Sequence, residues 1–454
     1  MQVALSLLLP HIARWKHLTI LTDTWAPMYT ALKIINPSLS QSGAPLLQSM
    51  SLMRCNDYVS YSRRFQPRQL KDLGFLTSPV TSSGKTHADL LPSLKHLTLR
   101  GVHVDWDALG NILGASSSGL SHLELASHPR DVRPSINQFH KLLRSTPNLK
   151  TLYVVGTGPE GPGSENDSVH NYEPVHLPRL ESVALGYRTE TGGRSLLHFL
   201  DAPGVQSLVL DDTTYPADQS DVNAGPILSY LGTKRCDGNE HSPEATTSQP
   251  STEAEKKRKR SICATQDDMD KQRRRAGTFP LLTHVVLRNV KSTFQPLTAF
   301  FNSLRNVTHL ELSGMSMLPI HALVPYSLPP SNDIPCPRLH SLTFKDSDYS
   351  IEDLDFIITR LSSCRQARGA PELHDLNFHV KLSRAGDVQL ITAAAASSPD
   401  SNVRIFSDKD NGVGSEDGDL VIEDENSEDS AFRPGGIFND PIFDAYYAHT
   451  IPSH

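Results

Sequence analysis

The sequence predicts an α/β fold: a leucine-rich-repeat-like solenoid (horseshoe) with a curved parallel sheet of about eleven short strands and outer helices. Three observations favour this class. The pattern apolar-x-x-apolar-x-apolar recurs along the chain and is typical of the strand half of a leucine-rich repeat. Most copies are spaced by 25 to 34 residues, which leaves room for a strand, a turn and a return helix. Several intervening segments also have helical periodicity.

The strand pattern is clearest at Leu94–Gly101, which reads LKHLTLRG. Side chains alternate along a strand, so the central apolar residue of each copy faces the core and the residue before it faces away. The central residues of the eleven copies are Leu18, Met50, Leu97, Leu123, Leu152, Val183, Leu208, Val285, Leu310, Leu342 and Leu376.

The return segments are predicted to be helices. Apolar residues recur at helical spacing in Asp105–Leu113, Pro134–Arg144, Pro296–Leu304 and Ser350–Leu361. Proline suits the first turn of a helix, and Ser350 with Asp353 forms an Asp version of the capping box. Right-handed crossovers between strand, helix and strand produce a parallel sheet. A further helix at the N-terminus is expected to pack on the first strand.

The repeat array is predicted to span residues 1–396, with two insertions and a tail. Residues 56–91 form a loop insertion, and residues 234–277 form a polar, basic insertion whose composition predicts disorder. Residues 397–454 form an acidic, disordered tail that ends in the aromatic segment Phe432–Tyr447. We expect this aromatic segment to cover the last repeat, because open ends of solenoids need a cap.

Composition excludes several classes of protein. The five cysteines form no CxxC pair, which indicates reduced thiols in an intracellular protein rather than a disulfide or zinc framework. No run of about 18 apolar residues is present, so we predict no membrane span. The apolar N-terminus lacks the basic start and the cleavage site of a signal peptide. We predict a location in the nucleus, the cytoplasm or both.

Histidine recurs at the outward position just before the central residue. This position is histidine in five copies: His17, His96, His122, His284 and His309. One interpretation is a ladder that binds metal or senses pH. The other is an exposed consensus position that tolerates a small polar ring, which we favour because no carboxylate or thiol column accompanies it. We predict no metal site and no cofactor.

The outward positions together predict a surface for a protein partner, since concave faces of solenoids are extended binding surfaces. Their mixed charge favours a protein over a nucleic acid, and plain solvent exposure remains the alternative for any single residue. The candidate partner-binding residues are His96, Thr98, Arg100, His122, Glu124, Tyr153, Arg288, His309, Glu311 and Lys345.

Two basic clusters in the second insertion resemble a bipartite nuclear-import signal. A solvated charge run and a nonspecific nucleic-acid patch are the alternatives. The tail is rich in carboxylates from Asp408 to Asp429, so it could pair with these clusters or remain independent of them. The residues of the predicted signal are Lys256, Lys257, Arg258, Lys259, Arg260, Arg273, Arg274 and Arg275.

We predict no catalytic residues. The sequence contains no GxSxG elbow, no HExxH motif and no paired Cys/His spacing typical of a nucleophilic site.

Four segments carry a resemblance to a known family: VALSLLLPHIARWKHLTI at 3–20, GAPLLQSMSL at 43–52, LPSLKHLTLRG at 91–101 and TPNLKTLYV at 146–154. They resemble the expanded family of F-box proteins with leucine-rich repeats in mushroom-forming fungi. In that family the F-box recruits the adaptor of a cullin-type ubiquitin ligase, and the repeats hold the substrate.

The resemblance implies the substrate-recognition half of a ubiquitin-ligase receptor. The sequence begins in what matches the region after the F-box, so no residue is assigned to adaptor binding. Ligase components are therefore expected as partners only if an F-box exists upstream. The alternative is a stand-alone nuclear leucine-rich-repeat scaffold unrelated to ubiquitination.

Overall fold

The computed structural model divides the chain into two units, Met1–Asp410 and Asn411–His454, and all the described residues belong to the first. The structure describes residues 2–55, 90–115, 119–155, 158–159, 172–214, 222–232, 278–324, 334–347, 349–350, 353, 356–367, 369–380 and 402–407.

The first unit is an α/β structure built on one open, parallel sheet of twelve strands. Strands follow one another across the sheet in chain order, so each pairs with the next copy along the sequence. The twelve strands are β1 (His17–Thr22), β2 (Ser49–Arg54), β3 (His96–Arg100), β4 (His122–Ala126), β5 (Thr151–Val155), β7 (Ser182–Tyr187), β9 (Ser207–Asp212), β10 (His284–Arg288), β11 (His309–Ser313), β12 (Ser341–Lys345), β13 (Asp375–Val380) and β14 (Asn402–Ser407). Two short strands, β6 (Val175–His176) and β8 (Leu200–Asp201), form a separate parallel pair.

The pairing register agrees residue for residue with the predicted central positions. Leu97 is aligned with Met50 on one side and with Leu123 on the other. The same alignment continues across the sheet to Leu376. Beyond it, Val403 on β14 pairs with Leu376. The sheet therefore runs one strand further than the sequence pattern indicated, into the segment that we predicted as tail.

Helices connect most of the strands. Three of the four predicted segments form helices, and the fourth, Ser350–Leu361, contains a π turn; the described helices also include one of 18 residues, Trp25–Ser42, that the pattern had not indicated. The helices are α1 (Gln2–Leu8), α2 (Trp25–Ser42), α3 (Trp106–Ala115), α4 (Ile136–Arg144), α5 (Glu190–His198), α6 (Gly225–Gly232), α7 (Phe294–Ser303), α8 (Leu318–Ala322) and α9 (Leu361–Gln366), with a 3-10 turn at Leu9–Arg14 and a π turn at Phe356–Arg360.

Local sequence explains where these helices begin. Ser135 accepts a hydrogen bond from the Gln138 backbone N–H, and the Gln138 side chain accepts one from the Ser135 N–H, so α4 begins with a full capping box. Ser350 and Asp353 make the same reciprocal pair of bonds. At the N-terminus we expected α1 to pack on β1, but it packs mainly against α2.

One continuous core lies between the helices and one face of the sheet. From Met50 to Leu376 every central strand residue is at most 1% exposed. Leu18 is only half-buried, because β1 is the first strand and pairs with β2 alone among the described strands. Full burial of such a side chain contributes about 1.5–3 kcal/mol, so the repeated column is the main source of stability.

The strand ends share a turn that the sequence pattern did not predict. The residue after the strand has a positive φ at Gly101, Ser127, Asn289, Gly314 and Asp346. The N–H of Gly101 donates to Ala126 O at 2.8 Å, and the N–H of Asn289 donates to Ser313 O at 2.8 Å, so the turn extends the ladder by one bond. At Gly314 a Cβ atom would lie 2.1 Å from Asn289 Oδ1, so any other residue there would have to displace that side chain, and glycine also adopts the positive φ most readily.

A buried histidine joins two of these turns. The His128 Nε2 lies 3.1 Å from Val102 O, and the ring packs edge-on against Trp106 at 5.4 Å between ring centroids. The indole N–H of Trp106 donates to Val132 O at 2.9 Å. Because a carbonyl only accepts, the His128 ring is a neutral Nε2–H donor. Burial lowers the pKa of His128 to about 3, which outweighs the bond to Val102 that favours the charged form.

We predict that Leu97→Ala lowers the free energy of unfolding by about 2–5 kcal/mol, because it opens a cavity in the core. His96→Ala should leave the free energy of unfolding nearly unchanged, since the side chain of His96, the residue before Leu97, is exposed. Thermal or urea unfolding of both variants measures this difference. Equal destabilisation would contradict the assigned register.

We also predict that the protein loses stability as pH falls below about 6.5. The pKa of His128 is lower in the folded state than its ordinary value of 6.5, so the unfolded chain binds the proton more readily. The contribution is complete above pH 6.5 and decreases toward the folded pKa, at about 1.4 kcal/mol per pH unit and roughly 3 kcal/mol by pH 4. Urea unfolding from pH 8 to 4 should show at least this slope, and His128→Gln should remove the part that His128 contributes while leaving that of His122, whose pKa is also lowered. An unchanged slope in the variant would exclude His128 as the cause.

Candidate functional site

The candidate site is the face of the sheet opposite the buried leucines, called the open face below. On β3 it is formed by His96, Thr98 and Arg100, and on the other strands by the residues aligned with these three. All ten predicted partner-binding residues lie on this face. The register brings His96 beside His122, and Thr98 beside Glu124. Residues some 26 positions apart in sequence thus become neighbours.

Two of the ion pairs on the open face share one diagonal arrangement. Arg100 Nη2 is 3.1 Å from Glu124 Oε1 on the next strand. Lys345 Nζ is 3.0 Å from Glu311 Oε2 on the preceding strand. In both pairs the glutamate is the third residue of its strand and the basic residue is the fifth residue of the neighbouring strand. The same geometry therefore occurs twice, at either side of the central strands.

The structure gives the predicted residues unequal access to a partner. Thr98 and Glu124 are only 4% and 7% exposed, so they have little surface to offer. Their side chains lie 3.5 Å apart, with the Thr98 hydroxyl donating to the Glu124 carboxylate beside Arg100. His96 and His309 are exposed, and the remaining predicted residues are half-buried.

Between the two ion pairs runs a row of four residues without charge, called the apolar row below: Tyr153, Ala184, Val209 and Val286. They are aligned with one another across β5, β7, β9 and β10. Glu124 adjoins one end of the row, and Glu311 adjoins the other. At about 4.8 Å between strands the row is roughly 14 Å long.

Three members of the apolar row were absent from the sequence prediction, which selected polar side chains. The signal was nevertheless present: the third strand position is apolar in SVALG, SLVLD and HVVLR, whereas most other predicted copies have Thr, Ser, Asn or Glu there. Ala184 is 2% exposed, whereas Val209 and Val286 are half-buried. The centre of the open face is therefore formed by short, apolar side chains.

One histidine stack borders the first ion pair. The rings of His96 and His122 lie 5.9 Å apart, and His122 meets Tyr153 edge-on at 5.3 Å. Burial, with a smaller effect from His96, lowers the pKa of His122 to about 4. Burial also lowers the pKa of His96. Both rings are therefore neutral at pH 7 and serve as packing surface rather than as cations.

A second histidine stack borders the other end of the apolar row. The rings of His284 and His309 are stacked at 4.4 Å with an interplanar angle of 4°. Each Nδ1 faces the hydroxyl of the preceding threonine, at 2.9 Å for Thr283 and 2.8 Å for Thr308. Both rings are exposed. Burial and the neighbouring His309 lower the pKa of His284.

Charges on the open face balance among the described strands. The four basic residues are Arg100, Arg288, Lys345 and Arg404, and the four acidic residues are Glu124, Asp211, Glu311 and Asp375. Arg288 is aligned with Asp211, and Arg404 Nη2 lies 3.4 Å from Asp375 Oδ1. Counting histidine as neutral, the face has no net charge.

Other chemistry finds less support in the described part of the chain. A cavity of about 570 Å³ lies at the C-terminal ends of α3 and α4, with His140, Lys141 and Arg144 in its lining. Cations at a helix C-terminus are favoured by the helix dipole, which accounts for these residues without a ligand. The described residues contain no group of three or more His, Cys, Asp or Glu side chains arranged to hold a metal ion.

The predicted nuclear-import residues, Lys256–Arg260 and Arg273–Arg275, lie outside the described residues, as do residues 56–89 of the first insertion and residues 408–454 of the tail. No described helix combines the length and the apolar composition needed to cross a membrane.

Comparison with known proteins adds no family to this description. A scan against protein-family models gave no match, and a search of curated proteins gave none either, so the site is defined by its own geometry alone.

Proposed function

We propose that the chain is a non-catalytic protein-binding scaffold and that its partner lies on the open face. The observation that carries the proposal is the apolar row bracketed by the two ion pairs. An apolar centre surrounded by paired charges is the composition of a protein-protein interface, where the core is depleted of charge and the rim is polar.

The balanced charge argues against a nucleic acid as the partner. Binding to a phosphate backbone depends on unpaired lysines and arginines that release counterions. On the open face Arg100, Lys345 and Arg404 each have a carboxylate within 3.4 Å. A polyphosphate would have to displace these carboxylates, whereas a protein surface of mixed charge need not.

We further propose that the twelve strands belong to a horseshoe of the leucine-rich-repeat type and that the partner is a ubiquitination substrate. The regular register and the strand-helix alternation support the first point, and the resemblance to F-box proteins motivates the second. Co-purification of the full-length gene product with a cullin adaptor tests the second point. Partner binding with no adaptor present would favour a stand-alone scaffold.

We predict that Val209→Lys weakens partner binding at least tenfold, because the ammonium group would lose its water within an apolar contact. Val209 is half-buried between Ala184 and Val286 and has no charged neighbour in its row. Asn137→Lys, on the exposed side of α4, is the matched control and should bind normally. Photo-crosslinking residues at positions 209 and 137, introduced into the full chain in its native cells, would identify and quantify the partner.

The outcomes of this experiment separate the possibilities. A partner crosslinked at position 209 but not at 137, and no longer co-purified with the Val209→Lys chain, supports the proposal. Equal crosslinking at both positions would contradict the assignment to the open face. Normal binding by Val209→Lys, with circular dichroism showing an intact fold, would remove the apolar row from the interface.

We predict that alanine substitution of Lys256–Arg260 lowers the nuclear fraction of a fluorescent fusion several-fold, because import receptors recognise clustered positive charge. Substitution of Arg273–Arg275 should produce a smaller decrease, as expected for a bipartite signal. Imaging of both variants beside the unaltered chain measures the effect. An unchanged nuclear fraction in both variants would indicate that the clusters are a solvated charge run and not an import signal.

A further inference from the structure

We infer that His284 and His309 form a two-donor clamp for a single carboxylate group on a protein partner. The two rings are parallel and exposed, and they lie beside the end of the apolar row at Val286. This inference rests on the open face being the partner-binding surface proposed above.

The threonine hydroxyls assign the tautomer of both rings. Gln206 O already accepts the backbone N–H groups of Thr283 and His284, at 2.9 and 3.0 Å. Thr283 O likewise accepts those of Thr308 and His309, at 2.9 and 3.1 Å. A carbonyl oxygen has two lone pairs, so both are occupied.

Each threonine hydroxyl has a choice of acceptor. It lies 3.2 Å from the occupied carbonyl and 2.9 or 2.8 Å from the imidazole Nδ1 of the next residue. The shorter contact to the free acceptor takes the single hydroxyl proton. Nδ1 is then the acceptor, and the ring proton lies on Nε2 in both His284 and His309.

The two Nε2–H groups project in the same direction. Each ring is held at Nδ1 by the threonine before it, and the rings are stacked with only 4° between their planes. Two parallel donors about one strand spacing apart suit the two oxygens of one carboxylate. A single acceptor atom does not suit two parallel donors. A metal ion needs ring lone pairs that converge on it, and in this tautomer both Nε2 atoms carry a proton.

The surroundings of the pair favour a carboxylate on a protein over a phosphate. Glu311, two residues after His309 on the same face, is already engaged by Lys345 at 3.0 Å, so it does not compete for the clamp. The balanced charge of the face provides no attraction for a polyanion. The groups around the pair in the neighbouring strands are Ser207, Val209, Ser341, Thr343 and, one position earlier, His340.

A bound carboxylate would also change the titration of His284. In the free chain the pKa of His284 lies below its ordinary value because of burial and the nearby His309. A carboxylate at the Nε2–H group of this ring favours its protonated form. Binding should therefore strengthen as pH falls from 7.5 to 6.

The test uses the full chain with ¹⁵N-labelled histidine and two small probes at equal ionic strength, N-acetylglutamate α-methylamide and N-acetylglutamine α-methylamide, which differ only in the side-chain carboxylate. We expect the Nε2–H signals of both rings to shift saturably with the glutamate probe and about five- to tenfold more weakly with the glutamine probe. His284→Phe and His309→Phe keep an aromatic ring but remove one donor, so each should weaken the response about fivefold. His17→Phe, in the same row beside Ser49, is the matched control.

Three results would overturn the clamp: ¹⁵N shifts typical of the Nδ1–H tautomer, equal responses to the two probes, or a stronger response to inorganic phosphate than to the glutamate probe. The probes need no natural partner, so their result is independent of the crosslinking experiment. If the pair binds the glutamate probe but position 209 crosslinks no partner, the proposed partner-binding surface is contradicted. Carboxylate binding by the two histidines would still stand.

Discussion

The structure depends on one column of apolar side chains that continues from strand to strand in a fixed register. From Met50 to Leu376 these residues are almost completely buried, and each is aligned with the central residue of the next strand. No single copy can bury its apolar side alone, because only the neighbouring strand and the covering helices exclude water from it. A shift by one residue would turn every side chain of a strand to the other face, so burial sets the register strictly. The open face inherits that order, and polar or apolar residues distant in sequence come to lie in straight rows.

Much of this architecture was accessible from the sequence because it depends on periodicity. The eleven predicted central residues all occupy the expected positions, since the alternation of a strand requires it. The strand β14 was missed because NVRIFS has only two alternating aliphatic residues and lacks the leading apolar residue of the other copies. The turn that follows five of the described strands was also missed: glycine, serine, asparagine and aspartate all adopt the positive φ there, so no single residue type marks it. Such a turn is recognised by backbone geometry and by the hydrogen bond that it adds.

The functional face was only partly predictable. Alternation placed every candidate residue on the correct side of the sheet, but it could not indicate which of them are accessible. Thr98 and Glu124 became part of a buried hydrogen-bonded group with Arg100, which depends on side-chain lengths across two strands. The apolar row was overlooked because valine and alanine in a strand are normally read as core. Their meaning changes once the register shows three of them aligned on the face that the helices do not cover.

The apolar row, the two ion pairs beside it and the His284–His309 stack contribute differently to partner recognition. The apolar row can provide affinity, since burying Val209 and Val286 against a partner removes apolar surface from water. The ion pairs at either side add little attraction, because Glu311 and Lys345 already satisfy each other. Their effect is to position the partner, since a partner shifted by one strand would bury a charge without a compensating contact, and that is costly. The His284–His309 stack differs from both, because it offers two parallel hydrogen-bond donors rather than a charge or an apolar surface. A partner that contacts Val286 and extends toward the start of β10 must meet this stack, so the same segment would be selected by apolar contact and by the hydrogen-bonding group beside it.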